Sequence, residues 1–274
     1  MIEPFFSIII PTLNEEKFLP KLLNDLKNQK EKNFEVIIVD GGSQDKTRIE
    51  AEKFKNTINL NFFQNKDRHV SLQRNYGARL AAGNYLVFLD ADSRIGPGFI
   101  KTVFSFINKE KGLIIIPYVA PGEKTIEMNM IFRLSNFLVE SSPLIGKPFS
   151  LGGNMIIEKK FFELIGGFSK DVFIGEDHEL IRRAYQWGVK AKFLHKTKVV
   201  FNLRRMKKEG LLIWYKNLVA IANILLRGKI DKKLFEYEMG GHLYKDMRKK
   251  HFINSNLSNL FKKTKQIFTK LLEE

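Results

Sequence analysis

The sequence contains no cysteine and no hydrophobic run long enough to cross a bilayer. Without cysteine there is no disulfide bond and no thiolate chemistry, which suits a reducing cytoplasm. The longest apolar stretch, residues 211–226, has only 16 residues and includes Lys216, whereas a membrane-spanning helix needs about 20 apolar residues. The first apolar run, residues 5–10, is too short for a secretory signal and follows no basic leader. These absences favour a cytoplasmic protein.

Acidic residues are scarce relative to basic ones, and the imbalance is concentrated in the last third of the chain. The 274 residues carry 46 Lys and Arg against 30 Asp and Glu, a net charge of +16. Residues 196–274 hold 19 of the basic and 7 of the acidic residues. Such a basic segment suits an anionic membrane surface, a nucleic acid or an anionic ligand. We expect a globular domain over residues 1–205 and a basic helical extension over residues 206–274, with an amphipathic stripe at residues 257–272.

Short apolar runs alternate with amphipathic stretches along the globular part. The alternation predicts an α/β fold, with a mostly parallel central sheet and helices on both faces. Strands are predicted at residues 7–12, 34–39, 60–63, 85–89, 113–117, 155–157 and 190–201. Helices are predicted at residues 18–26, 99–107, 126–139, 159–165 and 176–187, with a further helical stretch that contains Arg74 and ends near Gly83.

Two carboxylates, Asp90 and Asp92, follow the fourth predicted strand with one residue between them. Ligands of open α/β sheets bind at the carboxyl ends of the strands. In extended backbone, residues two apart point to the same side, so both carboxylates are expected to face one site. Their mutual repulsion is relieved by a hard cation such as Mg²⁺ or Mn²⁺ that also binds a nucleotide diphosphate. An isolated pair of this kind is more often a solvated strand end.

Four further polar segments each have an ordinary structural interpretation. Asp40 can form a turn after the second strand, and Arg74 can be a surface helix residue. Gly152 and Gly153 can serve a turn, and the acids at 176–177 can sit at a helix amino end, their commonest use. None of these segments identifies a function alone.

Together the segments resemble family 2 glycosyltransferases, whose GT-A fold is Rossmann-like and binds nucleotide sugars. Six pieces appear in the family's order and cover roughly residues 5–190. The matching pieces are residues 7–15 (SIIIPTLNE), 36–43 (VIIVDGGS), 74–77 (RNYG), 88–93 (FLDADS), 152–154 (GGN) and 175–177 (GED).

The resemblance implies a role for each matching residue on the nucleotide side. Pro11, Thr12 and Glu15 would line the nucleotide pocket. Asp40 would contact the base, usually uracil, and Arg74 would approach the base or the ribose. These roles predict a uridine diphosphate sugar as donor.

The resemblance also implies roles at the diphosphate, the donor sugar and the acceptor. Asp92 would bind a divalent metal, Mn²⁺ or Mg²⁺, with Asp90 near the metal or the ribose. Asp177 would be the general base for an acceptor hydroxyl, and one such displacement inverts the anomeric configuration. The residues beside the nucleotide sugar and acceptor would be Asp90, Ala91, Gly152, Gly153 and Asn154. Outside candidates are His195 for the metal and Arg204 and Arg205 for the diphosphate.

The expected partners are a nucleotide-sugar donor and a glycan or lipid-linked acceptor, with an anionic membrane surface as a candidate for the basic extension. The protein would then be cytoplasmic or peripheral on the cytoplasmic membrane face. A polyprenyl-phosphate glycosyltransferase is the nearest alternative, although its ionised acceptor needs no base at Asp177. A nucleic-acid-binding protein would use the basic tail, but no nucleic-acid motif is present. A nucleotide-sugar sensor without catalysis would share the fold, but the intact acids at 90, 92 and 177 argue against it.

Overall fold

The computed structural model describes residues 3–65, 68–123, 125–150, 152–172 and 175–204. The strands in these ranges are β1 (Phe6–Thr12), β2 (Phe34–Asp40), β3 (Leu60–Gln64), β4 (Tyr85–Phe88), β5 (Arg94–Ile95), β6 (Ile114–Pro121), β7 (Met155–Glu158) and β8 (Lys192–Phe201). The α-helices are α1 (Leu19–Lys27), α2 (Thr47–Glu52), α3 (Val70–Leu80), α4 (Phe99–Glu110), α5 (Ile126–Ser141), α6 (Lys159–Leu164) and α7 (Glu176–Gln186). A 3₁₀ helix, Ser142–Ile145, follows α5.

The strands form one eight-stranded sheet in the order β3-β2-β1-β4-β7-β6-β8-β5. The pairs from β3 to β4 are parallel, and so is the pair of β6 and β8. β7 is antiparallel to both of its neighbours, and β5 is antiparallel to β8. The predicted mostly parallel sheet is therefore confirmed.

Alternate residues of the central strands point into two separate cores, because side chains alternate across a sheet. Ile8, Ile10 and the even positions of β2 pack with apolar residues of α1 and α4. Ile9 and the odd positions of β2 pack with residues of α3, α6 and α7. Helices therefore cover both faces, as predicted.

The strand order reverses between β1 and β4, and Pro11 lies at this switch point. The carbonyl of Ile9 accepts a hydrogen bond of 3.1 Å from the amide of Leu89, which is the last contact between the two strands. Pro11, two residues later, points its backbone to the same side but pairs only with Val39 of β2. A proline is tolerated in this central strand because β4 has already ended at Phe88. Ligands of open α/β sheets bind at such a point.

The antiparallel direction of β7 brings the start of this strand to the same end of the sheet. Met155, its first residue, pairs with Phe88, the last residue of β4. Gly153 and Asn154 therefore enter the sheet beside the segment that leaves β4.

The residues up to Asn202 belong to one compact unit, whereas Leu203 and Arg204 belong to a second. The basic helical extension predicted at residues 206–274 lies outside the described residues, as does Arg205. In the portion that is described, none of the helices combines the length and the hydropathy that crossing a membrane requires.

Candidate active site

The segment with Asp90 and Asp92 is a turn rather than an extension of β4. The amide of Ser93 donates to the carbonyl of Asp90 at 2.9 Å, and both carboxylates are half-buried. The extended backbone expected at Asp90 and Asp92 is therefore wrong, because β4 ends at Phe88, although the turn keeps both acids in one short segment. Ala91 is buried in the core beneath this turn.

Asn154 fixes the shape of this turn from the neighbouring strand. Its Oδ1 accepts from the amide of Asp90 and from the hydroxyl of Ser93, both at 3.1 Å. The Nδ2 of Asn154 is buried and has no hydrogen-bond partner in the described structure. A buried donor without a partner is costly, so a ligand that accepts from this amide would relieve a defect of the free protein.

Arg74 is a buried cation that joins two distant motifs. Its side chain is 2% exposed and lies on α3. Nη2 donates to Asp90 at 2.8 Å, Nη1 donates to Glu176 at 2.6 Å, and the guanidinium lies 5.3 Å from the centre of the Phe168 ring. Gly153 packs directly against the guanidinium. We call the group of Arg74, Asp90, Glu176 and Asp177 the buried charge cluster.

One guanidinium serves three carboxylates in this cluster. Burial acts to lower the pKa of Arg74, but the charges of Asp90, Glu176 and Asp177 outweigh it, so the pKa is raised and the cation is retained. Burial raises the pKa of Glu176, and the neighbouring Asp177 adds to this effect against the opposing charge of Arg74. The cluster is therefore rich in negative charge and attracts cations.

Asp177 lies in the first turn of α7, where the helix dipole favours a negative charge. The residue is 4% exposed, and its Oδ2 is buried without a hydrogen-bond partner in the described structure. Glu179, which the sequence places close enough to influence Asp177, forms an ion pair with Arg183 at 2.6 Å instead. The adjacent His178 accepts a hydrogen bond of 2.9 Å at Nδ1 from the amide of Ser150. One oxygen of Asp177 is thus enclosed by the protein without a hydrogen bond in the described structure.

Asp40 organises the loop that follows β2. Its Oδ1 accepts from the hydroxyls of Thr12, at 3.1 Å, and Ser43. Its Oδ2 accepts from the amides of Gly42 and Ser43, at 3.0 and 2.8 Å. Asp40 is buried, and four protein donors engage its carboxylate in this structure, so it holds the ends of β1 and β2 together.

The two loops beyond β1 and β2 are tied together by further hydrogen bonds. The amide of Asn14 donates to the hydroxyl of Ser43, and the amide of Glu15 donates to the hydroxyl of Thr47, both at 2.7 Å. Glu15 is buried, as are Pro11 and Thr12. The nucleotide-side residues predicted from the sequence therefore share the carboxyl end of the sheet with Asp90.

The described residues contain no group of three His, Cys, Asp or Glu side chains arranged to hold a metal ion. His195 contacts Glu140 at 3.0 Å and the ring of Tyr118, rather than either acid of the 90–93 turn. Mg²⁺ typically binds through one or two carboxylates and completes its shell with water and substrate phosphates. Asp90, which belongs to the buried charge cluster, and Asp92 lie on one half-buried turn and fit that type of site.

The sequence did not predict that Glu176 pairs with Arg74. It also did not predict that the hydroxyl of Ser93 donates to the side chain of Asn154. Glu176 lies 102 residues from Arg74 in the chain, and one sequence gives no signal of a pair that distant. Ser93 was visible as the last residue of the FLDADS segment, but only the turn reveals its role.

Comparison with known proteins agrees with this geometry. The profile of glycosyl transferase family 2 matches residues 7–166. The poly(ribitol-phosphate) beta-N-acetylglucosaminyltransferase TarS of Staphylococcus aureus is 33% identical over 115 residues, which are 40% of this chain and 20% of TarS. The chain therefore spans about one fifth of the length of this relative.

Two solved structures establish the same fold. S. aureus TarS 1-349 in complex with UDP-GlcNAc aligns with a TM-score of 0.60 at 23% identity, over 72% of this chain and 58% of TarS 1-349. The mannosyltransferase PcManGT of Pyrobaculum calidifontis, in complex with GDP-Man and Mn²⁺, aligns with a TM-score of 0.65 at 20% identity, over 83% and 64% of the chains. With the GT-A fold shared and the family profile matching more than half of the sequence, the chain belongs to glycosyl transferase family 2.

Proposed function

We propose that the protein is an inverting glycosyltransferase that moves a sugar from a nucleoside diphosphate, preferably uridine diphosphate, to a hydroxyl group of a glycan or glycolipid. The observation that carries this proposal is the buried Oδ2 of Asp177, which lacks a partner and belongs to the same charge cluster as Asp90. A carboxylate oxygen so placed suits the removal of a proton from an acceptor hydroxyl.

The reaction follows from the roles of these residues. Asp177 takes the hydroxyl proton while the acceptor oxygen forms its bond to the anomeric carbon. The bond from that carbon to the diphosphate oxygen breaks, and its electron pair leaves with the nucleoside diphosphate. A single displacement inverts the anomeric configuration. Arg74 holds the turn with Asp90 and the start of α7 in fixed relation, so donor and base are aligned.

Asp90 and Asp92 would hold a divalent cation, Mg²⁺ or Mn²⁺, in this reaction. Such an ion supplies Lewis-acid stabilisation of the charge that develops on the leaving diphosphate. The Mn²⁺ in the PcManGT complex and the nucleotide sugars in both related complexes support this part of the proposal.

Calorimetric titration with uridine diphosphate, with and without Mn²⁺, tests the donor site. We expect metal-dependent binding that is lost in Asp92→Ala. Guanosine diphosphate serves as the competing nucleotide, and a preference for it would redirect the donor assignment to mannose-type sugars. If neither nucleotide binds the folded protein, the donor site is contradicted.

The role of Asp177 as the base is tested by the rate at which uridine diphosphate is released from the nucleotide sugar that binds most tightly. Asp177→Asn should lower kcat by about 100- to 10,000-fold and leave the affinity for uridine diphosphate unchanged. Glu179→Gln, two residues further along α7, is the matched control and should retain most of the activity. Turnover of Asp177→Asn at the wild-type rate would exclude Asp177 as the base.

Asp177→Asn also distinguishes the proposed function from that of a polyprenyl-phosphate glycosyltransferase, the nearest alternative. A polyprenyl-phosphate acceptor is already ionised, so transfer to a lipid phosphate should survive Asp177→Asn. Transfer to a hydroxyl should not.

A further inference from the structure

His178 follows the proposed base in the sequence, and one hydrogen bond fixes the state of its ring. Its Nδ1 lies 2.9 Å from the amide nitrogen of Ser150. A backbone amide can only donate, so Nδ1 is the acceptor and carries no proton, and the neutral ring keeps its hydrogen on Nε2. The ring also stands edge to face against that of Phe149, with 5.9 Å between the ring centres.

Ser150 depends on this acceptor because the residue is completely buried. Water therefore cannot replace His178 at the amide, and a buried amide without an acceptor is costly. The hydroxyl of Ser150 donates to the carbonyl of Gly152 at 3.2 Å. The position of Ser150 thus also governs where the chain lies two residues later.

The residues that follow Ser150 reach the donor side of the site. Gly153 packs against the guanidinium of Arg74. The Oδ1 of Asn154 accepts from the amide of Asp90 at 3.1 Å. These residues therefore run from the first turn of α7 to the turn that carries the proposed metal ligands. We define the site segment as Phe149, Ser150, Gly152, Gly153 and Asn154.

Asp177 has an anchored neighbour on each side. On one side, Nη1 of Arg74 donates to Glu176 at 2.6 Å and ties the start of α7 to α3. On the other side, His178 ties the same helical turn to the site segment. The Oδ2 of Asp177 is buried and has no hydrogen-bond partner in the described structure. Packing and the backbone of this turn, rather than a hydrogen bond to Oδ2, therefore fix where that oxygen lies.

We infer that His178 is a positioning residue for the proposed base. It holds the first turn of α7 on the site segment, so that Asp177 meets an acceptor hydroxyl beside the bound donor. The inference rests on the proposed function and adds a residue to it, and His178 needs to touch neither substrate. Without this acceptor the buried amide of Ser150 must move, and a shift of about 1 Å at a catalytic group can lower the rate about 100-fold.

Two substitutions of nearly identical shape separate the hydrogen bond from the packing. Asn carries Oδ1 where His carries Nδ1, and so keeps an acceptor for the amide of Ser150, whereas Leu places a methyl group there. In the uridine diphosphate release assay, kcat should fall about 100-fold in His178→Leu and return close to the wild-type value in His178→Asn. Affinity for uridine diphosphate with Mn²⁺ should be unchanged in both, because Asn154 holds the other end of the site segment to Asp90.

Gln29→Met is the matched control for the loss of a buried acceptor. The Oε1 of Gln29 accepts from the amide of Ile100 at 3.1 Å, and the residue is 2% exposed and lies outside the candidate site. This variant should lose stability in urea, as His178→Leu does, but kcat of the folded protein should stay unchanged. An equal fall of kcat in both variants would reduce the effect of His178 to stability and overturn the inference.

Exchange of the amide hydrogen of Ser150, followed by NMR, gives a readout that needs no turnover. We expect exchange to be about tenfold faster or more in His178→Leu than in the wild type and His178→Asn. Equal exchange in all three proteins, or a kcat that His178→Asn does not restore, would overturn the inference. A wild type that binds no nucleotide would contradict the proposed function instead, and exchange at Ser150 would still decide whether His178 holds the site segment.

Discussion

A Cβ atom placed on Gly153 would lie 1.9 Å from Nη2 of Arg74. The guanidinium cannot move away, because it is buried and held on both sides by carboxylates. We predict that Gly153→Ala destabilises the protein by about 1–3 kcal/mol, the usual cost of overpacking, and weakens uridine diphosphate binding. Urea unfolding and calorimetry measure the two effects. Gly96→Ala, where no atom lies within 4 Å of the new Cβ, is the control and should change neither.

Removal of the cation from the buried charge cluster should be more damaging than removal of a surface cation. Arg74→Met leaves the carboxylates of Asp90, Glu176 and Asp177 close together, and breaking a buried ion pair typically costs about 3–5 kcal/mol. The control is Arg48→Met, which removes a 63%-exposed arginine paired with Glu52, itself 39% exposed, and should cost under about 1 kcal/mol. Equal unfolding midpoints in urea for the two variants would contradict the conclusion that Arg74 stabilises the carboxylates of the buried charge cluster.

A second substitution tests whether repulsion causes that loss. In Arg74→Met, the acid at Glu176 has lost its counter-ion. Addition of Glu176→Gln should therefore recover part of the stability in urea. A double variant less stable than Arg74→Met would show that repulsion is not the cause.

Glu176 should make the stability of the wild-type protein depend on pH. Burial raises its pKa above the ordinary value of 4.5, so the folded protein retains a proton that the unfolded chain has already released. Stability from this group is present at low pH and is lost as the pH rises from 4.5 through the folded-state pKa. Glu176→Gln should remove this fall. Urea unfolding at a series of pH values measures the stability of both proteins. If the stability of Glu176→Gln falls with pH in parallel with that of the wild type, Glu176 is not the group responsible.

Asp40 should matter for stability as well as for binding. In Asp40→Asn one oxygen becomes a donor and must face a hydroxyl or an amide that also donates. Leaving these buried donors without an acceptor should cost about 1–3 kcal/mol, measured by urea unfolding. Asp171→Asn, at an exposed position, is the control. Loss of uridine diphosphate affinity with unchanged stability would show instead that Asp40 acts mainly on the ligand.

The strands and helices that position the site were predictable because they follow periodic apolar patterns. The strand at β4 and the helix at α7 were found within one or two residues of their ends. β5 was missed, since a strand of two residues, Arg94–Ile95, has no period to detect. The strand predicted at 113–117 continues to Pro121, because a register shift at Pro117 and Tyr118 lets the strand pass its proline.

The sequence named residues that the fold gathers at the carboxyl end of the sheet, but it did not predict their contacts. The position of Arg74 on a helix was correct, yet its burial depends on Asp90 and Glu176, which approach it only through the fold. Asp40 was recognised as a polar residue at a strand end, whereas its four donors come from three other residues. Apolar residues on all sides of α5 predicted the helix without indicating which side faces solvent.

Pro11 limits how far β1 can pair with the chain that follows β4. Any other residue at this position would carry an amide hydrogen directed past the end of β4. That amide could donate a hydrogen bond to the residues after β4 and extend the pairing of the two strands. Proline has no amide hydrogen to offer, so Pro11 cannot donate the backbone hydrogen bond that would continue the pairing of β1 with the chain after β4. The covalent structure of one residue in β1 therefore sets where the ladder between these two strands stops.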